Sequence, residues 1–97
     1  MDLNEFKRFG FFLGAYSVTA ENYQELLEIV EEFRDYEGDP TVSELILELL
    51  KIQEQNKWKE TQDFIIEHAL RKYDLEEVEQ FINDMLTILK GETSEEV

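Results

Sequence analysis

The most apolar stretch of the chain, Val42 to Ile52, spreads its apolar residues over a wide arc where most helices show a narrow stripe. At 100° per residue, Ile52, Leu45, Leu49, Val42, Ile46, Leu50 and Leu47 cover roughly 220°, against ~100° for an ordinary surface helix. Such a helix needs cover on two or three sides. Apolar residues recur at helical spacing in four further segments, and the strict alternation of a half-buried strand occurs nowhere. The pattern predicts an all-α, single-domain bundle of five short helices over about residues 2–13, 20–36, 40–55, 57–72 and 75–90, joined by short links.

Local signals place the ends. Asp2 and Glu5 form a capping box for the first helix, with Met1 and Phe6 as its hydrophobic staple, and Leu3, Phe6, Phe9 and Leu13 as its stripe. Phe11 and Phe12 lie partly off that stripe, and Gly14 ends it. Thr19 is the expected cap of the second helix, with Val18 and Tyr23 as staple, Tyr23, Leu26, Leu27, Val30 and Phe33 as buried stripe, and Gly38 as stop. Asp39-Pro40 opens the third helix, with a Thr41–Glu44 box as the alternative. Asn56 closes that helix and caps the fourth, whose broad face carries Trp58, Ile65, Ile66, Ala69 and Leu70, with Phe64 to one side. Asp74 and Glu77 box the fifth, stapled by Tyr73 and Val78 and lined by Leu75, Val78, Phe81, Ile82, Met85, Leu86 and Leu89. Lys90-Gly91 stops it. The domain is expected to span 1–91, followed by a disordered acidic tail at 92–97.

Charge changes the picture more than composition does. With 42% hydrophobic and 12% aromatic residues the chain has the means to fold. Its 24 acids against 9 bases give a formal charge of −15, which disfavours direct contact with nucleic acid or an anionic membrane and favours a basic patch on another protein. The imbalance is local. Residues 21–39 hold eight acids and one base, and residues 74–97 again eight and one, so each carries −7.

On the second helix Glu21, Glu25, Glu28, Glu32 and Asp35 recur at spacings of four and three, opposite the apolar stripe. Like charges so placed cost about 0.2–0.5 kcal/mol per pair, and the helix dipole compensates only the first turn. These five, with Glu76 and Glu79 of the last helix, are the candidate partner-binding residues. A solvated face that keeps the chain soluble is the alternative meaning of the same stripe.

Signs of catalysis are missing. No cysteine is present, so thiolate metal sites and cysteine nucleophiles are excluded. The one histidine, His68, has Ile65 three residues before it, which breaks the Glu-x-x-His of di-iron bundles and suits a boundary position. No calcium loop, phosphate-binding glycine loop or serine nucleophile motif occurs. Neither a catalytic residue nor a metal or cofactor is expected, and the chain is not expected to be an enzyme. Trp58 between Lys57 and Lys59 is expected in the core, and no basic recognition helix supports a DNA-binding reading. The amino terminus lacks a signal-peptide pattern and no run reaches the length of a membrane span, so a cytoplasmic location is expected.

The stretch Phe12-Leu13 through Val18-Thr19-Ala20-Glu21-Asn22-Tyr23 resembles the opening of the small bacterial immunity proteins related to the colicin D inhibitor, over about residues 12–40. The resemblance implies a small acidic helical protein that blocks a basic toxin nuclease; it carries no inhibitory residue onto a numbered position here. The expected function is therefore a non-catalytic inhibitor, bacterial or phage-encoded, that covers a basic surface of a nuclease or nucleic-acid-binding protein. The alternative is a structural or adaptor domain that forms a homodimer through the wide face of the third helix or the Phe9, Phe11 and Phe12 cluster.

Overall fold

The computed structural model describes residues 4–91, in which the chain forms five α-helices: α1 (Lys7–Ala15), α2 (Tyr23–Glu37), α3 (Thr41–Glu54), α4 (Trp58–Ala69) and α5 (Leu75–Leu89). A single 3-10 turn, Ser17–Thr19, links α1 to α2, and the described residues contain no strand. The predicted all-α bundle is what forms. Among the described residues no helix is long and apolar enough to cross a membrane.

Several helix ends differ from expectation. Asp2 and the 92–97 tail lie outside the described residues, but residues 4–6 are turn and bend, so α1 starts at Lys7. Its first amides find a distant acceptor: Glu48 of α3 accepts from Arg8 N (3.1 Å) and Phe9 N (2.9 Å), and Arg8 Nε pairs with Glu44 at 2.6 Å. Glu44 is thereby drawn away from the Thr41 box, which does not form, and Asp39 accepts from the Ser43 amide and hydroxyl in its place.

The cap of α2 is Asn22, whose extended backbone lets its side chain accept from Glu25 N at 2.9 Å. Thr19 sits in the 3-10 turn and donates to the Tyr16 carbonyl at 3.1 Å, so it is spent before the helix begins. Gly38 ends α2 at φ 62°, a conformation open to glycine at little cost. Asn56 adopts φ 52° between α3 and α4 but does not cap α4, which begins after Lys57 without a side-chain cap. The Asp74–Glu77 capping box forms in full.

Helix α4 ends at Ala69, short of Lys72. Leu70 turns left-handed (φ 58°), and Arg71 then reaches back to the 3-10 turn, its Nη2 donating to the carbonyls of Ser17 (2.6 Å) and Ala20 (2.5 Å). The buried face of α4 is Thr61, Phe64, Ile65 and Ala69; Ile66 and Leu70 are exposed, contrary to expectation. Thr61 can occupy the core because its hydroxyl donates to Lys57 O at 2.6 Å, which removes the penalty of a bare buried hydroxyl. Trp58 is half-buried and packs on the core, and His68 lies tilted against Phe64 with ring centroids 4.4 Å apart.

One apolar core draws on all five helices. Helix α3 touches each of the other four, and Val42, Leu45, Leu49 and Ile52 are buried, so the wide arc belongs to the central helix of the bundle. Leu47, at the edge of the arc, is 66% exposed. Leu75, placed in the stripe of α5 by its spacing, is also exposed, whereas the rest of that stripe is buried.

Candidate protein-binding surface

The sequence concentrates acid in two segments far apart along the chain, and folding brings their helices together. Helices α2 and α5 form the most extensive helix pair of the bundle. Their apolar residues Leu26, Val30 and Phe33, and Val78, Phe81, Ile82 and Met85, are buried, which leaves the acids of both helices on the outside. Two polar contacts tie the pair along its length. The Tyr23 hydroxyl donates to Asp84 at 2.6 Å, and Arg34 Nη1 donates to the Ile88 carbonyl at 2.9 Å.

The predicted acids on α2 are all at the surface, but they do not form one uniform stripe. Glu21 precedes the helix, and its amide donates to Glu25 Oε1 at 2.8 Å, so Glu25 is half-buried and partly committed to the turn. Glu28 and Glu32 are exposed. Asp35 is exposed and pairs with Arg34 Nε at 3.0 Å; Arg34 also lies 3.8 Å from Glu31. That base neutralises the end of the stripe, and the free negative charge is centred on Glu25, Glu28 and Glu32.

On α5 two hydrogen bonds fix how the helix is rolled. Asp84 bonds Tyr23 and so marks the flank that meets α2, while Asn83 bonds Gln53 and marks the flank that meets α3. Residues four and seven positions earlier share a flank on a helix. Glu79 therefore stands with Asn83, Gln80 and Glu77 stand with Asp84 beside the α2 acids, and Glu76, four before Gln80 and seven before Asn83, lies between the two flanks. Glu76 and Glu79 are both exposed.

The seam between α2 and α5 is concave. A cleft of about 180 Å3 is lined by Gln24, Leu27, Glu28, Glu31 and Ile88, with acids at its rim and apolar residues in its floor. Beyond the Tyr23–Asp84 bond lies a second cleft of about 260 Å3, lined by Tyr23, Tyr73, Glu77 and Gln80. A wider depression, about 420 Å3, sits where Arg34 and Lys90 meet the start of α3, at the basic end of the seam. Of the residues here, the sequence pattern does not single out Glu31, Tyr73 or Gln80 for binding, and Glu77 and Asp84 belong to the acidic run of the last helix without being chosen as binding residues. The i,i+4 pair Gln80 and Asp84 was the available signal, since Gln80 Nε2 donates to Asp84 at 2.9 Å.

The tyrosines here are held as neutral phenols. Burial, followed by the hydrogen bond to Asp84, raises the pKa of Tyr23 well above its ordinary value, and burial raises that of Tyr73. On the other side of α2, Tyr16 donates to Glu37 at 2.5 Å and its pKa is pushed up to about 12, mainly by that bond. Phe11, 46% exposed, lies over Phe33 and Tyr16, and Tyr36 one turn on is 81% exposed, so the Glu32 side of α2 also carries aromatic surface.

Among the described residues no group of three or more Asp, Glu and His converges as metal ligands. What the surface offers is negative charge, hydrogen-bond acceptors and an apolar floor, the features that receive Lys and Arg side chains. No family model, curated protein or solved structure matches the chain.

Proposed function

We propose that this chain is a non-catalytic binding protein that docks through its α2–α5 side on a basic surface of another protein, in the manner of an inhibitor covering a nuclease or a nucleic-acid-binding face. The observation that supports it is the pairing of the two acid-rich helices along a groove lined by the acids Glu28 and Glu31 of α2 and by apolar Leu27 and Ile88. Neither helix gains stability from Glu28 or Glu32, which repel their neighbours, whereas a basic partner converts that repulsion into attraction and faster association. The resemblance of residues 12–40 to colicin D-type immunity proteins points to the same class of partner and to a bacterial or phage setting.

The test is affinity capture at low salt, followed by association measurements with the captured protein over a salt series. Binding is expected to weaken steeply with salt. Reversing Glu25, Glu28 and Glu32 to Lys is expected to weaken it further, on the order of tenfold to a hundredfold, mostly through slower association. Glu28→Lys with Glu32→Lys is the companion variant, because neither carboxylate bonds the backbone of the turn. An affinity and salt dependence that both variants leave unchanged would remove the reading.

The exposure of Leu47 favours a second reading, self-association through α3, because Leu47 lies at the solvent edge of an arc that continues into half-buried Leu50 and Ile46. Under the docking reading the chain stays monomeric by light scattering over a wide concentration range, in low and high salt. A dimer that survives high salt and is dissolved by Leu47→Glu would replace it.

A further inference from the structure

The cleft at the start of α2 has a chemistry of its own. Tyr23 and Tyr73 both pack against the buried ring of Phe81, with centroids 6.4 Å and 6.0 Å away, so one core residue holds two tyrosines around one opening. Of the polar groups beside them, Asp84, Glu77 and Gln80 carry acceptor oxygens and Arg71 is a cation. Asp84 receives the Tyr23 hydroxyl and the Gln80 amide nitrogen, which leaves the Gln80 carbonyl oxygen for the cleft. Glu77 gives Oε1 to the Asp74 amide at 2.9 Å, and its second oxygen takes no part in that cap. A phenol that donates to a carboxylate has a more electron-rich ring, which strengthens its attraction for a cation.

Arg71 is the base next to this wall. Its Nη2 donates to the carbonyls of Ser17 and Ala20, and both its charge and its hydrogen bond to Tyr73 act on that phenol in the sense opposite to the charge of Glu77, so the incoming cation is met on the Glu77 and Gln80 side of the cleft. At about 260 Å3 the cleft falls below the roughly 300–1,000 Å3 that holds whole small-molecule ligands, which suits a single inserted side chain.

We propose that the cleft between Tyr23, Tyr73, Glu77 and Gln80 receives one arginine side chain of the basic protein partner, its guanidinium stacked on tyrosine and donating to Glu77 and Gln80. The inference rests on the docking reading above and names the anchor within it. Arginine fits better than lysine because its planar, weakly hydrated cation stacks on aromatic rings while donating in its own plane. The same walls and acceptors reject anions.

The probe is N-acetyl-argininamide, titrated into the whole chain and followed by amide chemical shifts, with N-acetyl-citrullinamide as the neutral isostere. Saturable shifts are expected at Tyr23, Tyr73 and Gln80, with citrullinamide roughly tenfold weaker or more. Glu77→Gln keeps the cap, since glutamine also accepts at that position, and is expected to weaken argininamide binding roughly three- to tenfold with the rest of the spectrum unchanged. Tyr73→Leu keeps an apolar wall without the ring and is expected to weaken it likewise. Equal binding of citrullinamide, or shifts that scatter over all the acidic helices without saturating, overturns the proposal. With the captured partner the two readings separate: if Glu28→Lys with Glu32→Lys releases it while Glu77→Gln and Tyr73→Leu hold it as tightly as the native chain, the anchor is wrong and the docking surface stands.

Discussion

Phe33→Ala is expected to lower stability by about 3–5 kcal/mol, the cost typical of removing a buried aromatic ring from a core that cannot close over the space. Phe33 is fully buried and is the ring on which α1 and α2 meet. It stands edge-on to Phe12 at 5.3 Å and to Tyr16 at 4.8 Å, and Phe11 covers it at 6.3 Å. Removing it takes a neighbour from three aromatics at once, so the loss includes their mutual geometry as well as the ring's own burial. Tyr16 would also lose the support that aims its hydroxyl at Glu37. For a domain whose whole stability is about 5–15 kcal/mol, that is a third or more. Urea unfolding of native, Phe33→Leu and Phe33→Ala chains checks it, with the leucine variant falling between. An alanine cost below about 1 kcal/mol would mean that the aromatic group does not organise the α1–α2 contact.

What the sequence made legible was whatever repeats within a few residues. The spacing of Leu26, Val30 and Phe33, and of Val78 through Leu89, marks buried stripes because one helix turn returns a side chain to the same face. The Asp74–Glu77 box was legible for the same reason: both partners lie in one turn. Features that depend on a distant segment were not. On α4 the expected Ile65 and Ala69 are buried, but packing against the rest of the bundle centres the buried face on Thr61 and Phe64 as well and leaves Ile66 and Leu70 exposed.

The candidate surface divides in the same way. That the acids of α2 are exposed followed from periodicity, but which acids of α5 join them depends on how α5 is rolled against α2. The Tyr23–Asp84 and Gln53–Asn83 bonds set that roll, and they place Glu77 on the flank of Asp84, Glu79 on that of Asn83 and Glu76 between the two. Tyr23 and Tyr73 each looked like one half of a local staple. Only the packing of both on Phe81 turns them into two walls of one cleft.

Glu48→Ala is expected to cost about 2–3 kcal/mol, because it removes the acceptor that two helix-starting amides share. Helix α1 has no side-chain cap of its own; Glu48, 40 positions along the chain from Arg8, supplies the bond that a residue at the helix start usually makes, with one oxygen on each amide. Glu48→Gln restores little of this. Its amide nitrogen would face one of the two N–H donors, so one bond is lost and a donor is set against a donor. The carboxylate also reports its own environment through pH. Burial raises its pKa above the ordinary 4.5; the bonds from Phe9 and Arg8 and the charge of Arg8 pull the other way, and Glu44 adds to the rise. A carboxyl with a raised folded pKa binds its proton more readily folded than unfolded, so its charged form penalises the fold above that pKa. The penalty is relieved as pH falls through the raised value toward 4.5. Lowering the pH from 7 to about 5 is therefore expected to raise the urea midpoint of the native chain relative to that of Glu48→Gln, which lacks this titration. Parallel pH curves for the two chains would show that Glu48 holds α1 without being buried as a charge, and a negligible loss in Glu48→Ala would show that α1 is held by Phe6, Phe9 and Phe12 alone.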